Sequence, residues 1–316
     1  EGEELTSGEK YVLRSDILYE LNDQATKKFP FDGHLGYIWK LLQFDQELLI
    51  SAGRDNLIHI WNTNGDMLQT LSGHHSSILC LETINDDTFV SGSRDRQIKV
   101  WKRQIDGKFE EAGNFGLHTA LVLSLCKLTD NWCASSGGDN LIKVWNQMGN
   151  VILSLTGHTN WIWQVMKLDE NYIASCSEDH SIRIWDYRNG ELIRMFTEKS
   201  PVFCLAIHPD QACLASGNLD GEITIRYLWD NFTEKKRVTF PAHSGIIRTL
   251  LFASNKMLVS GGEDNYVRIW NIEKMECISV FQHSNFVQSV ICISDNRIMS
   301  ASYDGTIRIH DIPKVT

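Results

Sequence analysis

The sequence predicts an all-β protein, a seven-bladed β-propeller of four-stranded antiparallel blades. Three observations carry that expectation: one phrase returns seven times, each copy breaks into short strand-like runs, and the last copy stops one strand short. The phrase reads LISAGRDNLIHIW, FVSGSRDRQIKVW, CASSGGDNLIKVW, IASCSEDHSIRIW, LASGNLDGEITIR, LVSGGEDNYVRIW and IMSASYDGTIRIH. Its aspartates, Asp55, Asp95, Asp139, Asp179, Asp220, Asp264 and Asp304, stand 40, 44, 40, 41, 44 and 40 residues apart.

Each element of a copy has a reason. A serine lies four residues before every aspartate: Ser51, Ser91, Ser135, Ser175, Ser216, Ser260 and Ser300. A tryptophan follows six residues after it in five copies, Trp61, Trp101, Trp145, Trp185 and Trp270, with Arg226 and His310 in the other two. A histidine precedes it by 21 residues in six copies, His34, His74, His118, His158, His243 and His283, and Lys199 takes that place in the fifth. Between these marks run β-branched and apolar stretches separated by Asp-Asn and Asp-Gly turns, a meander of short strands. Four strands in about 40 residues is the measure of one propeller blade. The aspartate suits the tight turn between the second and third strands, where a short acceptor bonds turn amides.

The Gly-His start, the serine, the aspartate and the Trp-Asp end together resemble the WD-repeat β-propeller family, over about residues 24 to 316. The literal pair stands in register only at Trp185-Asp186; Trp229-Asp230 lies three residues late and marks an expected bulge. The resemblance implies that histidine, serine, aspartate and tryptophan form a hydrogen-bonded network linking strands inside each blade. Blade five, without the histidine and the tryptophan, and blade seven, without the tryptophan, are expected to hold less complete networks.

The chain ends complete the architecture. The last copy stops at Pro313–Thr316 after its third strand, and Gln24–Phe31 occupies the position that outer strands hold elsewhere. That segment is expected to complete blade seven and remove a free edge. Residues 1–23 form an extension in which Leu13, Ile17 and Leu21 fall at helical spacing, so a short helix, a linker or a tail is expected. A start at Glu1 rather than methionine is expected of a piece of a larger chain or complex. The two repeats of 44 residues lengthen the hairpins around 103–114 and 227–238, opposite the histidine loops.

Composition narrows the function. With 40 acidic against 30 basic side chains and a net charge of -10, the chain lacks the basic face that phosphate backbones require, so no nucleic-acid partner is expected. Nor is a membrane partner, because no apolar stretch reaches the ~20 residues of a membrane helix. The 8 cysteines include no Cys-x-x-Cys pair, so they read as reduced core thiols of a cytoplasmic protein, with the nucleus as the alternative. The sequon Asn231-Phe232-Thr233 points weakly the other way.

Catalysis is not expected. Serine, histidine and aspartate recur in six nearly equivalent sets, whereas a hydrolase needs one. The loop histidines, one per blade, do not read as metal ligands, and no Gly-rich phosphate loop is present, so no metal and no cofactor is expected. An enzyme would have to use the central channel.

A protein or peptide partner is the expected ligand. In the family, the third and fifth residues after the loop histidine and the residue before the turn aspartate face the channel mouth. Here these include Tyr37, Trp39, Trp161, Trp163, Val202, Cys204, Arg248, Phe286 and Gln288 on the strands, and Arg54, Arg94, Glu178, Glu263 and Tyr303 on the turns. Aromatic and arginine side chains of this kind make interaction hot spots, although the same aromatics also suit plain channel packing. Arg54 and Arg94 from adjacent blades, with Glu178 and Glu263 further round, imply a polarised mouth that takes an acidic or phosphorylated group. The phrase FVSGSRDRQIKVW resembles F-box substrate receptors of ubiquitin ligases, which makes that role a subtype of the interaction module expected here.

Overall fold

The computed structural model describes Phe31, residues 33–210 and residues 213–312. Within them the chain forms seven antiparallel sheets in sequence order, six of four strands and one of three. The first sheet sets the pattern: Ile38–Gln43 is innermost, followed by Leu48–Gly53, Ile58–Asn62 and, outermost, Met67–Leu71. Each innermost strand packs against the next, and Val287–Ser294 of the seventh sheet returns to Ile38–Gln43, so the blades close into a ring around a channel. No helix among the described residues is long and apolar enough to cross a membrane.

Burial follows from this arrangement. Second strands are covered on both faces by neighbouring blades, and Leu48–Gly53 and Met257–Gly262 are buried throughout. The apolar clusters lie between blades: Ile50, Ile58 and Leu71 interlock with Ile78, Phe89 and Trp101 of the second blade. Phe31, Ile38 and Trp61 likewise meet Met299, Ala301 and Ile307 of the seventh, and the Leu41 N–H donates to the Ser289 hydroxyl across that seam at 3.1 Å. The segment 24–30 expected to complete blade seven, the helical pattern in 1–23 and the end at 313–316 lie outside the described residues. The bulge expected near Trp229 is present as a register shift between Tyr227 and Leu228.

A serine buried in each second strand must be paired, and a relay of side chains does this. The Trp61 indole donates to Ser51 Oγ at 2.8 Å, Ser51 Oγ lies 2.8 Å from His34 Nε2, and His34 Nδ1 lies 2.8 Å from Asp55 Oδ2. An indole only donates, so the serine proton faces the imidazole and the other ring nitrogen donates to the aspartate. Four further blades repeat the relay, through Trp101, Ser91, His74 and Asp95, through Trp145, Ser135, His118 and Asp139, through Trp185, Ser175, His158 and Asp179, and through Trp270, Ser260, His243 and Asp264. The aspartate also accepts from loop and turn, as Asp55 does from the Leu35 and Leu57 amides. A Cβ on Gly33 would stand 2.9 Å from the Trp61 ring, so the Gly-His start is the imprint of an indole lying across the backbone.

Blade seven corrects the expectation of an incomplete network, whereas in blade five a substitute network forms that does not reach the exposed Asp220. In blade seven His310 Nε2 takes the indole's place, 2.7 Å from Ser300 Oγ, and the His283 and Asp304 links remain. In blade five the fully buried Arg226 donates to Ser216 Oγ at 3.0 Å and pairs with Glu198, with Glu234 3.2 Å away. Glu198 therefore stands where Lys199 was expected. The inner hairpin of blade five is one residue longer: Ser216 pairs with Leu205, eleven residues earlier, whereas Ser51 pairs with Leu41, ten earlier.

Breaking a buried ion pair from one side costs roughly 3–5 kcal/mol. With Glu234 remaining, Glu198→Ala is expected to cost about 3 kcal/mol in urea unfolding, and Glu198→Ala with Arg226→Leu less than that. A double variant that is less stable than the single one contradicts the paired role. A second expectation concerns acid. Burial pushes His310 down to about 4 and also lowers His74, His158 and His283. The unfolded chain, with imidazoles near ~6.5, takes up protons first as pH falls, so stability is complete above about pH 6.5 and declines toward pH 4. Urea midpoints measured from pH 8 to pH 4 check this, and a flat profile contradicts it.

Candidate functional site

The relay holds loop and turn against the inner strand, and the inner strand then turns one side chain per blade into the channel. Each inner strand slips register near its start against its neighbour, as between Ile38 and Lys40 or between Val287 and Ser289. A bulged residue is unpaired and re-aimed by the local bend. The residues in the slips are Trp39, Leu79, Leu123, Trp163, Phe203, Arg248 and Gln288, and all seven line one channel cavity of about 370 Å³.

Two residues before each bulged residue, a strand carbonyl accepts the N–H of the turn residue. Arg54 donates to Tyr37 at 2.8 Å, Arg94 to Ser77 at 2.9 Å, Glu178 to Trp161 at 3.0 Å, Glu263 to Ile246 at 2.9 Å and Tyr303 to Phe286 at 2.9 Å. The expected strand and turn residues are thus brought side by side. Blade five is again the correction: Leu219 donates to Pro201, and Pro201 and Phe203 stand where Val202 and Cys204 were expected. Both of the latter are buried.

The aromatics form two clusters. On one side Tyr37 stacks on Tyr303 with centroids 4.1 Å apart, Trp39 meets Tyr303 edge-on at 5.0 Å, and Phe286 lies 5.5 Å from Tyr303. Arg54 lies over the Tyr37 ring at 4.9 Å. On the other side Trp161 and Trp163 are 6.0 Å apart, and Trp163 lies 4.9 Å from Phe203. Trp161 keeps 37% of its surface exposed, whereas Phe203 is buried.

The charges are not distributed as the sequence suggests. Arg248 stands over both Trp163 and Phe203, at 5.0 and 4.8 Å, and its Nε donates to Glu263 Oε1 at 2.8 Å. Glu178 accepts the Trp163 indole N–H at 2.9 Å. Arg248, Glu263 and Glu178 are therefore committed to one another and to the aromatic wall. Arg94 lines the cavity and Arg54 lies over Tyr37, both exposed and without an ion pair among the described residues. Trp39 Nε1 is buried with no hydrogen-bond partner among the described residues, and the buried Gln288 Nε2 has only the Tyr303 hydroxyl near it, short of full hydrogen-bond geometry. Burial pushes the Tyr303 hydroxyl up to about 12, so it keeps its proton at neutral pH. Phe203 escaped the sequence reading because nothing in its own neighbourhood signals the longer hairpin; the offset of Glu198 opposite Arg226 was the available clue.

Comparison with known proteins follows the geometry. The WD domain, G-beta repeat family matches seven times, at residues 25–62, 65–102, 111–146, 149–186, 190–226, 234–271 and 275–311. The apoptotic protease-activating factor 1 of Rattus norvegicus is 26% identical over 249 residues, which cover 75% of this chain and 16% of that protein. Pre-mRNA-processing factor 19 of Oryza sativa subsp. japonica is 22% identical over 233 residues, 73% of this chain and 37% of that protein. The serine-threonine kinase receptor-associated protein of Gallus gallus is 23% identical over 243 residues, 76% of this chain and 68% of that protein. The chain thus spans only a minor part of the first two relatives. With seven matched repeats lying on seven sheets, it belongs to the WD40 family of β-propellers.

Proposed function

We propose that this propeller is a non-catalytic interaction module that receives a protein or peptide partner at its channel mouth, with an acidic or phosphorylated group of the partner lodged by Arg54, Arg94, Trp39 and Gln288. The observation that carries this reading is the sign of the unpaired groups. Arg54 and Arg94 lack ion pairs, and Trp39 Nε1 and Gln288 Nε2 lack an acceptor of full hydrogen-bond geometry among the described residues, whereas Glu178 and Glu263 are occupied. A buried donor without an acceptor costs roughly 1–3 kcal/mol, which a ligand oxygen recovers on binding. Trp161 offers the neighbouring apolar contact, in the manner of an aromatic hot spot.

The Ser-His-Asp sets support the non-catalytic part of the reading. Each serine is buried in a relay and none faces the cavity. Family membership supports a scaffold role, and the relative named for pre-mRNA processing supports a nuclear setting beside the cytoplasmic one expected from the thiols.

A degenerate peptide library with one fixed position occupied in turn by glutamate, phosphoserine, glutamine or lysine tests the reading. Glutamate and phosphoserine peptides are expected to be enriched. Arg54→Ala with Arg94→Ala is expected to weaken their binding about tenfold or more, and Trp39→Phe, which keeps a ring and removes the N–H, about fivefold. Enrichment of glutamine or lysine peptides, or unchanged binding by the double arginine variant, contradicts it.

A further inference from the structure

The third strand carries a cation four residues after the turn aspartate in five blades: Lys99, Lys143, Arg183, Arg268 and Arg308. Where that side chain bends back to the relay it faces the carboxylate. Arg268 lies 2.7 Å from Asp264, Arg308 lies 3.6 Å from Asp304, and Arg183 lies 3.9 Å from Asp179. Blade one has His59 in this place. It is only 3% exposed and lies against His34 with ring centroids 4.2 Å apart. Its Nδ1 lies 2.9 Å from Thr70 Oγ1, while its Nε2 is buried, with the Gly33 backbone nearby but no hydrogen bond of full geometry among the described residues. A buried polar atom left short of a full hydrogen bond calls for an explanation, and an ion is one of the few available.

We propose that blade one binds one divalent transition-metal ion, zinc by ligand preference, through His59 Nε2, the Asp55 carboxylate and His34 Nδ1, where other blades place a side-chain cation. One ligand atom from each of the three residues lies within 4.8 Å of the other two. Two imidazoles and a carboxylate are a borderline donor set that suits zinc, and three protein ligands leave one coordination position open. Zinc bonds of about 2.0–2.1 Å set tetrahedral donors about 3.3 Å apart, so His59 draws in while His34 Nδ1 and Asp55, now 2.8 Å apart, open by about half an ångström. The relay survives the change. His34 Nε2 and Ser51 Oγ are 2.8 Å apart, a contact that works in either direction. With the metal on Nδ1, the imidazole proton sits on Nε2 and is donated to Ser51 Oγ, which still accepts from Trp61 and gives up its own donation to His34. Lys and Arg in five other blades do not ligate in this way, and blade five has Thr224 there and no loop histidine, which confines the site to blade one. The site is distinct from the channel mouth, and its fate is independent of the peptide reading.

Zinc chloride titrated into the metal-stripped protein tests this, on a Cys277→Ser background because that exposed thiol is itself a zinc ligand. One zinc per chain is expected, with the thermal midpoint rising by about 4 °C once zinc is in large excess over its dissociation constant. His59→Lys gives blade one the residue type of Lys99 and Lys143, and both effects are expected to vanish. Cobalt chloride supplies a readout that needs no variant: the wild-type relay should develop the visible absorption of four-coordinate cobalt, and zinc should remove it. Failure to bind zinc at about 100 μM, absence of the cobalt band, or the same stoichiometry and midpoint shift in His59→Lys would each overturn the proposal.

Discussion

A buried serine hydroxyl in the second strand of every blade is the constraint on which the rest depends. That strand is covered on both faces, so a polar side chain there is tolerated only if paired on both sides. The third strand must offer a donor and a second group a further partner. Tryptophan and histidine do this in five blades and two histidines in the seventh, while in the fifth Ser216 accepts from Arg226 and donates to the Thr224 carbonyl, with Glu198 holding the arginine. The chemistry varies and the requirement does not, which is why a copy without its tryptophan still closes its blade.

Function inherits its geometry from the same links. The aspartate at the far end of the relay ties the entry loop to the second turn, and the turn residue is bonded to the inner strand beside it. Loop, turn and inner strand are therefore fixed before the bulge turns its residue inward. On the side of Trp163, Phe203, Arg248 and Glu263, cation, carboxylate and rings satisfy one another. The mouth is unsatisfied on the side of Trp39, Gln288, Arg54 and Arg94. An arginine in a channel is thus not evidence of a ligand site until its carboxylate is accounted for.

Much of this was legible in the sequence because it repeats. Seven aspartates with a serine four residues earlier define blade number, strand order and turn position without tertiary information. Three features were not. The extra residue in the inner hairpin of blade five leaves the serine-to-aspartate spacing intact, so counting back from Asp220 reached Lys199 instead of Glu198 and Cys204 instead of Phe203. The bulges sit in strands whose composition gives no Gly or Pro signal at the slip, as at Trp39 and Leu79. Pairings such as Arg248 with Glu263 and Trp163 with Glu178 join an inner-strand residue to a turn residue 15 positions on, where side-chain reach and not spacing decides the partner. His59 was overlooked because it lies in a position whose role is visible only when the cations of five other blades are superposed on it.

The most direct test of the division between relay and recognition is the indole N–H signals in a ¹⁵N-labelled NMR spectrum, recorded with and without an acidic peptide selected by the protein. The indoles of Trp61, Trp101, Trp145, Trp185 and Trp270 donate to buried serines and should resist exchange with solvent and stay in place on binding. Trp39 Nε1, a donor without an acceptor, should shift downfield and gain protection when the peptide arrives. A Trp39 signal that does not move while relay indoles do would contradict both the placement of the site and the structural role of the relay.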